Sequence, residues 1–179
     1  KAVLIRGTAP CVAAGAVEHP MLKFTQAIDQ LKEEHHELRS KLQEFVVIEE
    51  IIRKGKPNTN WYGTLLNLKE RVENFLALLD RHAEWEDEAL YPTIAVYAEE
   101  DAKAKEVLEE DHHQAVQYFR AFLDEMHQSD SPIHQDKATE IIGLLMNGHR
   151  LTLDHLNAEE HHIYPIAEEI IEDIDYLSC

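Results

Sequence analysis

Two segments of this chain write nearly the same polar message into helical sequence, and that repetition limits the folds open to it. His82 is followed four residues later by Glu86 and then by Tyr91-Pro92; His155 is followed by Glu159 and then by Tyr164-Pro165. Each segment is preceded at a distance by an acidic-His-His stretch, Glu33-Glu34-His35-His36 before the first and Glu110-Asp111-His112-His113 before the second. The chain therefore reads as one helical hairpin written twice.

Apolar spacing supplies the helices. Phe24, Ile28, Leu31, His35, Leu38, Leu42 and Phe45 fall at alternating steps of four and three, the seam of a helix packed into a bundle. A second seam runs Leu65, Leu68, Val72, Phe75, Leu79, His82, Glu86, Ala89. A third runs Leu108, His112, Ala115, Phe119, Phe122, Met126. The fourth runs Ile141, Leu145, Gly148, Thr152, His155, Glu159, His162, Ile166, Ile170. His36 and His113 are turned about 100° off these seams. Gly55 and Pro57 stop the first helix at about Lys54, and Asn58-Thr59-Asn60 offers caps for the second. Pro92 is expected to kink or end the second helix, Asp101 to cap the third, and Ser131 to cap the fourth with Pro132 at its first position. Short connections make neighbours antiparallel, so the expected fold is all-α, an up-down-up-down four-helix bundle. At 1.5 Å per residue, His35 and His82 lie roughly 28 and 33 Å from the first turn, and His112 and His155 roughly 24 and 32 Å from the second. The four histidines then meet in one layer.

Residues 1–20 lack helical periodicity and read as an irregular N-terminal arm, leaving 21–179 as the helical domain. The chain opens at Lys1 rather than Met and reads as a trimmed or partial one. Its 17 Lys and Arg against 35 Asp and Glu give a net charge of −18, which argues against nucleic-acid or anionic-membrane partners. No run of 18 apolar residues suggests a span. With only Cys11 and Cys179 and no CxxC, a disulfide framework, a zinc ribbon and covalent haem are unsupported, and a reducing, cytoplasmic setting is expected.

A His and a Glu four residues apart share a helix face and can reach one centre. Unpaired in a core they are costly, so something must satisfy them. Four imidazoles (His35, His82, His112, His155) and two carboxylates (Glu86, Glu159) suit iron or manganese better than structural zinc. Two carboxylates also suit a pair of metals, since each can bridge. Each metal would then have two nitrogens and two oxygens, with positions left for an oxo or hydroxo bridge and an exogenous ligand.

These six residues, with Glu-His-His-Glu-Leu at 34–38, Leu90-Tyr91-Pro92 and Tyr164-Pro165, resemble the hemerythrin-like HHE cation-binding domains over about residues 22 to 175. The resemblance implies a non-haem di-iron centre, with manganese or zinc as alternatives. His35, His82, His112 and His155 would be terminal ligands, and Glu86 and Glu159 bridging carboxylates. It implies binding of O2 or NO, or iron handling in sensing, storage or iron-centre repair, and favours such a metal- or gas-binding role over an enzymatic one, which it leaves open. Respiratory members carry a further His one turn after the third-helix ligand, where this chain has Val116. They also carry an Asp five residues after the fourth-helix His, where it has Glu160. The chain is thus closer to the bacterial group, and the missing histidine disfavours reversible O2 carriage. A ferritin-like di-iron oxidase or peroxidase is the alternative. Its Glu-x-x-His pairs occur at Glu33/His36, Glu109/His112 and Glu159/His162, but only the last is inward on the seams. Bis-His haem would leave Glu86 and Glu159 without purpose, and a metal-free bundle would leave six ionisable groups to satisfy one another. On these seams His162 is a candidate further ligand, Tyr91 and Tyr164 are candidate donors to ligand carboxylates, and Glu88 and Glu160 read as flanking residues. Gly148 and Thr152 read as a close helix contact or a gas channel, the contact being favoured.

Overall fold

The computed structural model describes residues 20–97 and 102–178. Its elements are α1 (Pro20–Arg53), α2 (Tyr62–Trp85), α3 (Tyr91–Tyr97), α4 (Ala102–Gln128), α5 (Gln135–Ala158) and α6 (Tyr164–Ser178). A π-helical turn, Glu86–Leu90, joins α2 to α3 without a break, and a second, Glu159–Ile163, joins α5 to α6. The result is four rods in which α1 packs on α2, α2 on α4, α4 on α5 and α5 back on α1. Sequence neighbours are space neighbours across short connections, which is the up-down-up-down bundle of the seams. The expected arm, the capping role of Asp101, and Cys11 and Cys179 fall outside the described residues.

The seams account for the core. An aromatic group of Phe45, Phe75 and Phe119, with ring centroids 5.0–6.4 Å apart, anchors a large apolar cluster toward the hairpin turns. A smaller cluster built on Phe24, Ile28, Leu31, Leu90, Ile94 and Ile170 fills the other end. Between them lies a layer of buried polar side chains: Glu34, His35, His82, Glu86, His155 and Glu159. Apolar packing above and below fixes the height of that layer on every rod.

The hairpin-turn end differs from expectation at the fourth helix. The Ser131–Pro132 peptide is cis and α5 starts at Gln135, with His134 rather than Ser131 at the cap and no side-chain capping bond. Residues 131–134 serve the neighbouring loop instead. Ile133 donates its N–H to Asn60 Oδ1 (3.0 Å), and its carbonyl accepts the Trp61 N–H (2.8 Å). Asn60 also accepts the Tyr62 N–H (3.1 Å), so part of the expected capping stretch does act on α2. Gly55 lies beneath this junction, where a Cβ would stand 2.0 Å from the Trp61 ring. Trp61 is buried and donates to Gln135 Oε1 (2.8 Å), so it has little freedom to retreat. Gly55→Ala is expected to cost about 1–3 kcal/mol by overpacking, read as a lower urea midpoint at unchanged slope.

Candidate metal centre

Each rod brings its polar residues to the layer by its own periodicity. α1 sets His35 between Leu31 and Leu38; α2 sets His82 one turn before Glu86; α5 sets His155 one turn before Glu159. Donor atoms of His35, His82, Glu86 and Glu159 all lie within 4.8 Å of one another. Glu159 Oε2 is the hub, 3.2 Å from His35 Nε2, 3.4 Å from His155 Nε2 and 4.0 Å from His82 Nε2. Glu86 Oε1 lies 2.7 Å from His82 Nε2, and Glu86 Oε2 lies 3.9 Å from His155 Nε2. His112, half-buried, stands at the edge with its ring 5.5 Å from that of His155. The structure thus gathers all six sequence-derived candidates: four tightly, His155 against both carboxylates, and His112 at the rim.

His82 Nε2, Glu86 Oε1 and Glu159 Oε2 are sealed from solvent and have no hydrogen-bond partner. His82 Nε2 and Glu86 Oε1 face each other at close range without hydrogen-bond alignment. An unsatisfied buried polar atom costs about 1–3 kcal/mol, and more when charged. A cation that displaces the His82 proton would be met by all three atoms, and the nitrogen-and-carboxylate donor set suits a borderline divalent metal. The cluster could hold a metal ion.

The electrostatics point the same way. Burial alone would lower the pKa of His82, but the Glu86 charge and the hydrogen bond to Glu34 outweigh it and raise it to about 10. Burial and the Glu159 charge push the Glu86 carboxyl up. Burial would raise Glu159 too, yet His35, His155 and Tyr91 hold it below the usual range. Burial and the neighbouring imidazoles of His155 and His82 push His112 down to about 4, which leaves it the neutral imidazole that a metal takes. Two buried carboxylates that cannot both ionise comfortably form a site that holds protons until a cation replaces them.

Outside the cluster stands a ring of partners. Tyr91 donates to Glu159 Oε1 (2.6 Å), tying the second rod to the fourth. The Tyr164 hydroxyl meets His35 Nε2 (2.7 Å), so of the two tyrosines only Tyr91 reaches a carboxylate of the cluster by hydrogen bond. Burial and nearby carboxylates push both phenols far above their ordinary pKa, so both keep their protons. Glu34 and Glu160 face the outer nitrogens of His82 and His35. Among the described residues, two cavities flank the layer. One of about 160 Å³ is bounded by Glu86, Tyr91, His112, His113 and His155, and one of about 270 Å³ by Lys32, His35, Glu160 and Tyr164.

His162 does not lie inward; it is exposed, and Ala89 is only half-buried. The π-helical turns are the reason. Tyr91 N–H bonds Glu86 O and Tyr164 N–H bonds Glu159 O, five residues back instead of four. Each turn adds one residue, so Leu90 and Ile163 take the inward slots. The following prolines explain the location: a proline in regular helix clashes with the carbonyl four residues back, and widening the turn opens room for it. Pro92 accordingly neither ends the rod nor separates α3 from the bundle. His36, His113, His161 and Glu88 are exposed, in keeping with their off-seam positions. Val116 is buried and apolar where the respiratory pattern has a ligand. A Cβ on Gly148 would lie 3.0 Å from the Phe119 ring, so Gly148 marks a close helix contact. Glu34, part of the first acidic-His-His stretch, takes a place the seams do not assign: three residues after Leu31 and four before Leu38, it is buried on the edge of the α1 seam and faces His82.

A family model described as the hemerythrin HHE cation binding domain matches residues 26–167, which contain all six cluster residues. No curated protein and no solved structure matches the chain.

Proposed function

The chain belongs to the hemerythrin HHE cation-binding domain family, and on that footing we propose that it holds two iron ions about Glu86 and Glu159 and binds O2 or NO there, or handles iron itself. The observation that carries this reading is the set of sealed, unpartnered donor atoms contributed by facing rods to one point of the core. Iron bound there would supply an open coordination position and two accessible oxidation states. The chain's own part is to bind and orient. Glu86 and Glu159 lie between the imidazoles and would be shared by both ions, with His35 and His82 on one side and His112 and His155 on the other. Tyr91 fixes Glu159 by its hydrogen bond, and the apolar clusters above and below keep bulk water from the layer.

The cavity beside His112 and His155 favours a small ligand. At about 160 Å³ it falls below the roughly 300–1,000 Å³ of pockets that take organic molecules, and it suits a diatomic gas or an ion. The ferritin-like oxidase reading weakens correspondingly, because His162 and the Glu33/His36 pair are exposed. No helix among the described residues is long and apolar enough to cross a membrane.

The test is to load the protein with iron(II) under anaerobic conditions and add NO or O2. The reading expects an absorption change that saturates with ligand and is lost in His35→Ala. It expects His36→Ala, one residue away but exposed, to behave as the unaltered chain. An iron-loaded protein whose spectrum ignores both gases would leave iron handling as the surviving role. Loss of binding in His36→Ala with retention in His35→Ala would overturn the ligand register on α1.

A further inference from the structure

Resting on the metal reading above, we propose that Tyr91 is a positioning residue that holds Glu159 to a single ligating oxygen, so that the two carboxylates of the cluster serve the ions in different modes: Glu86 through both oxygens and Glu159 through Oε2 alone. A hairpin written twice would make the two carboxylates equivalent, and the structure breaks that equivalence. Glu86 spreads its oxygens, with Oε1 2.7 Å from His82 Nε2 on its own rod and Oε2 3.9 Å from His155 Nε2 on another. Glu159 does not. Among the described residues, the imidazole nitrogens within 4.0 Å of it all face Oε2: His35 Nε2 at 3.2 Å, His155 Nε2 at 3.4 Å and His82 Nε2 at 4.0 Å. That oxygen is sealed from solvent and accepts no hydrogen bond. Oε1 is turned away and accepts the Tyr91 hydroxyl at 2.6 Å. Tyr164 holds the matching place in the second copy, yet its hydroxyl meets His35 Nε2 (2.7 Å) instead of Glu86.

The hold is built into the fold. Tyr91 closes the π-helical turn that begins at Glu86, and its N–H bonds the Glu86 carbonyl. Its ring is buried in the smaller apolar cluster with Leu90, Ile94 and Ile163. The turn that carries one carboxylate of the cluster therefore delivers the hydroxyl that restrains the other. A phenol-to-carboxylate bond of about 2.5–2.7 Å is charge-assisted and roughly twice as strong as a neutral one. Offering Oε1 to an ion would mean turning the carboxylate and breaking that bond, in a layer that apolar clusters close above and below. The consequence reaches the small-ligand site, because Tyr91 borders the same cavity of about 160 Å³ as His112 and His155. A carboxylate that took one ion with both oxygens would fill a coordination position. With Oε1 kept on Tyr91, that position stays open for the exogenous ligand.

The anaerobic crystal structure of the iron(II)-loaded chain tests this, with iron content measured on the same protein. In solution, the C–O stretch of isotope-labelled tyrosine reports whether the Tyr91 phenol still donates once iron is bound. The expected result for the unaltered chain is Glu159 Oε2 at bonding distance from iron, Oε1 off the metal and still on the Tyr91 hydroxyl, and both Glu86 oxygens on iron. Tyr91→Phe keeps the ring in its apolar cluster and removes only the hydroxyl. In that variant Oε1 should turn onto an iron, while in Tyr164→Phe Glu159 should keep its single ligating oxygen. An unaltered chain in which both Glu159 oxygens bind iron, or whose Tyr91 phenol stops donating on loading, overturns the proposal while leaving the metal reading intact, and needs no variant. Glu159 bound through Oε2 alone in Tyr91→Phe overturns it too. So does the same turn of Oε1 in Tyr164→Phe, which would trace the effect to loosened packing. A chain that takes up no iron defeats the metal reading itself, and the positioning claim with it.

Discussion

Glu159→Ala is expected to strip the chain of most of its bound metal, lowering affinity by more than about 100-fold. Losing a mere outer partner of a ligand costs about 10–100-fold, and Glu159 is the hub of the cluster. Its Oε2 lies within 4.0 Å of three imidazole nitrogens, and it is fully buried. No other described side chain occupies that point, so the loss cannot be made good by rotation of a neighbour; Glu160, next in sequence, is committed to His35 and Arg39. Stability should follow the metal. A ligand at 100 times its dissociation constant stabilises the folded state by about 2.7 kcal/mol, and this metal-dependent increment should vanish in the variant. The metal-free form changes in two opposed ways: the Tyr91–Glu159 hydrogen bond is lost, while Glu86 loses a repelling neighbour. The decisive quantity is therefore the difference between unfolding free energies with and without metal. Glu88→Ala, exposed in the first π-helical turn, should leave both metal content and increment unchanged.

Metal affinity is expected to fall by about 100-fold or more between pH 8 and pH 6. His82 must give up its proton to bind an ion, and with its pKa raised to about 10 the deprotonated fraction falls about tenfold per pH unit across this range. Glu86, also raised, adds to the slope where it titrates. The sign for the metal-free chain is the opposite. A group whose pKa is raised on folding contributes stability that is complete below its unfolded value, near 6.5 for His82, and is lost as pH climbs through about 10. The metal-free fold should therefore weaken toward alkaline pH while the metal-induced rise in melting temperature grows. Cobalt(II)-dependent melting shifts at pH 6 and pH 8 measure this directly. Equal shifts at both values would mean that protons do not compete for the site.

The six cluster residues were legible because each is polar in a slot that a 4–3 apolar seam reserves for the core, and a carboxylate in such a slot demands a partner. His35 and His36 could be told apart on that rule alone, and the structure separates them as buried and exposed. The rule failed just after the carboxylates. Counting by α-helical steps put His162 inward, but the π-helical turn ahead of Pro165 added a residue and handed the slot to Ile163. The two Tyr-Pro pairs were visible from the start; the widened turns that accommodate them were not, because a proline can equally kink or end a helix. The partner of Glu34 is not legible for a different reason. Glu34 serves an imidazole on another rod, and pairing across rods depends on how neighbouring helices are rotated about their axes, which periodicity within one helix does not report. The 131–134 segment departs from its expected capping role likewise: Ser-Pro carries good capping chemistry, but its neighbours are drawn into bonds with the loop around Asn60.

The most direct measurement is metal content per chain, with an absorption spectrum, on protein purified anaerobically and then exposed to air. An iron pair shared by Glu86 and Glu159 predicts roughly two irons per chain and near-ultraviolet bands that grow on oxidation. A chain that carries no metal, or a single zinc, and that cannot be reconstituted with iron would contradict it and leave the buried histidines and glutamates to a purely structural role.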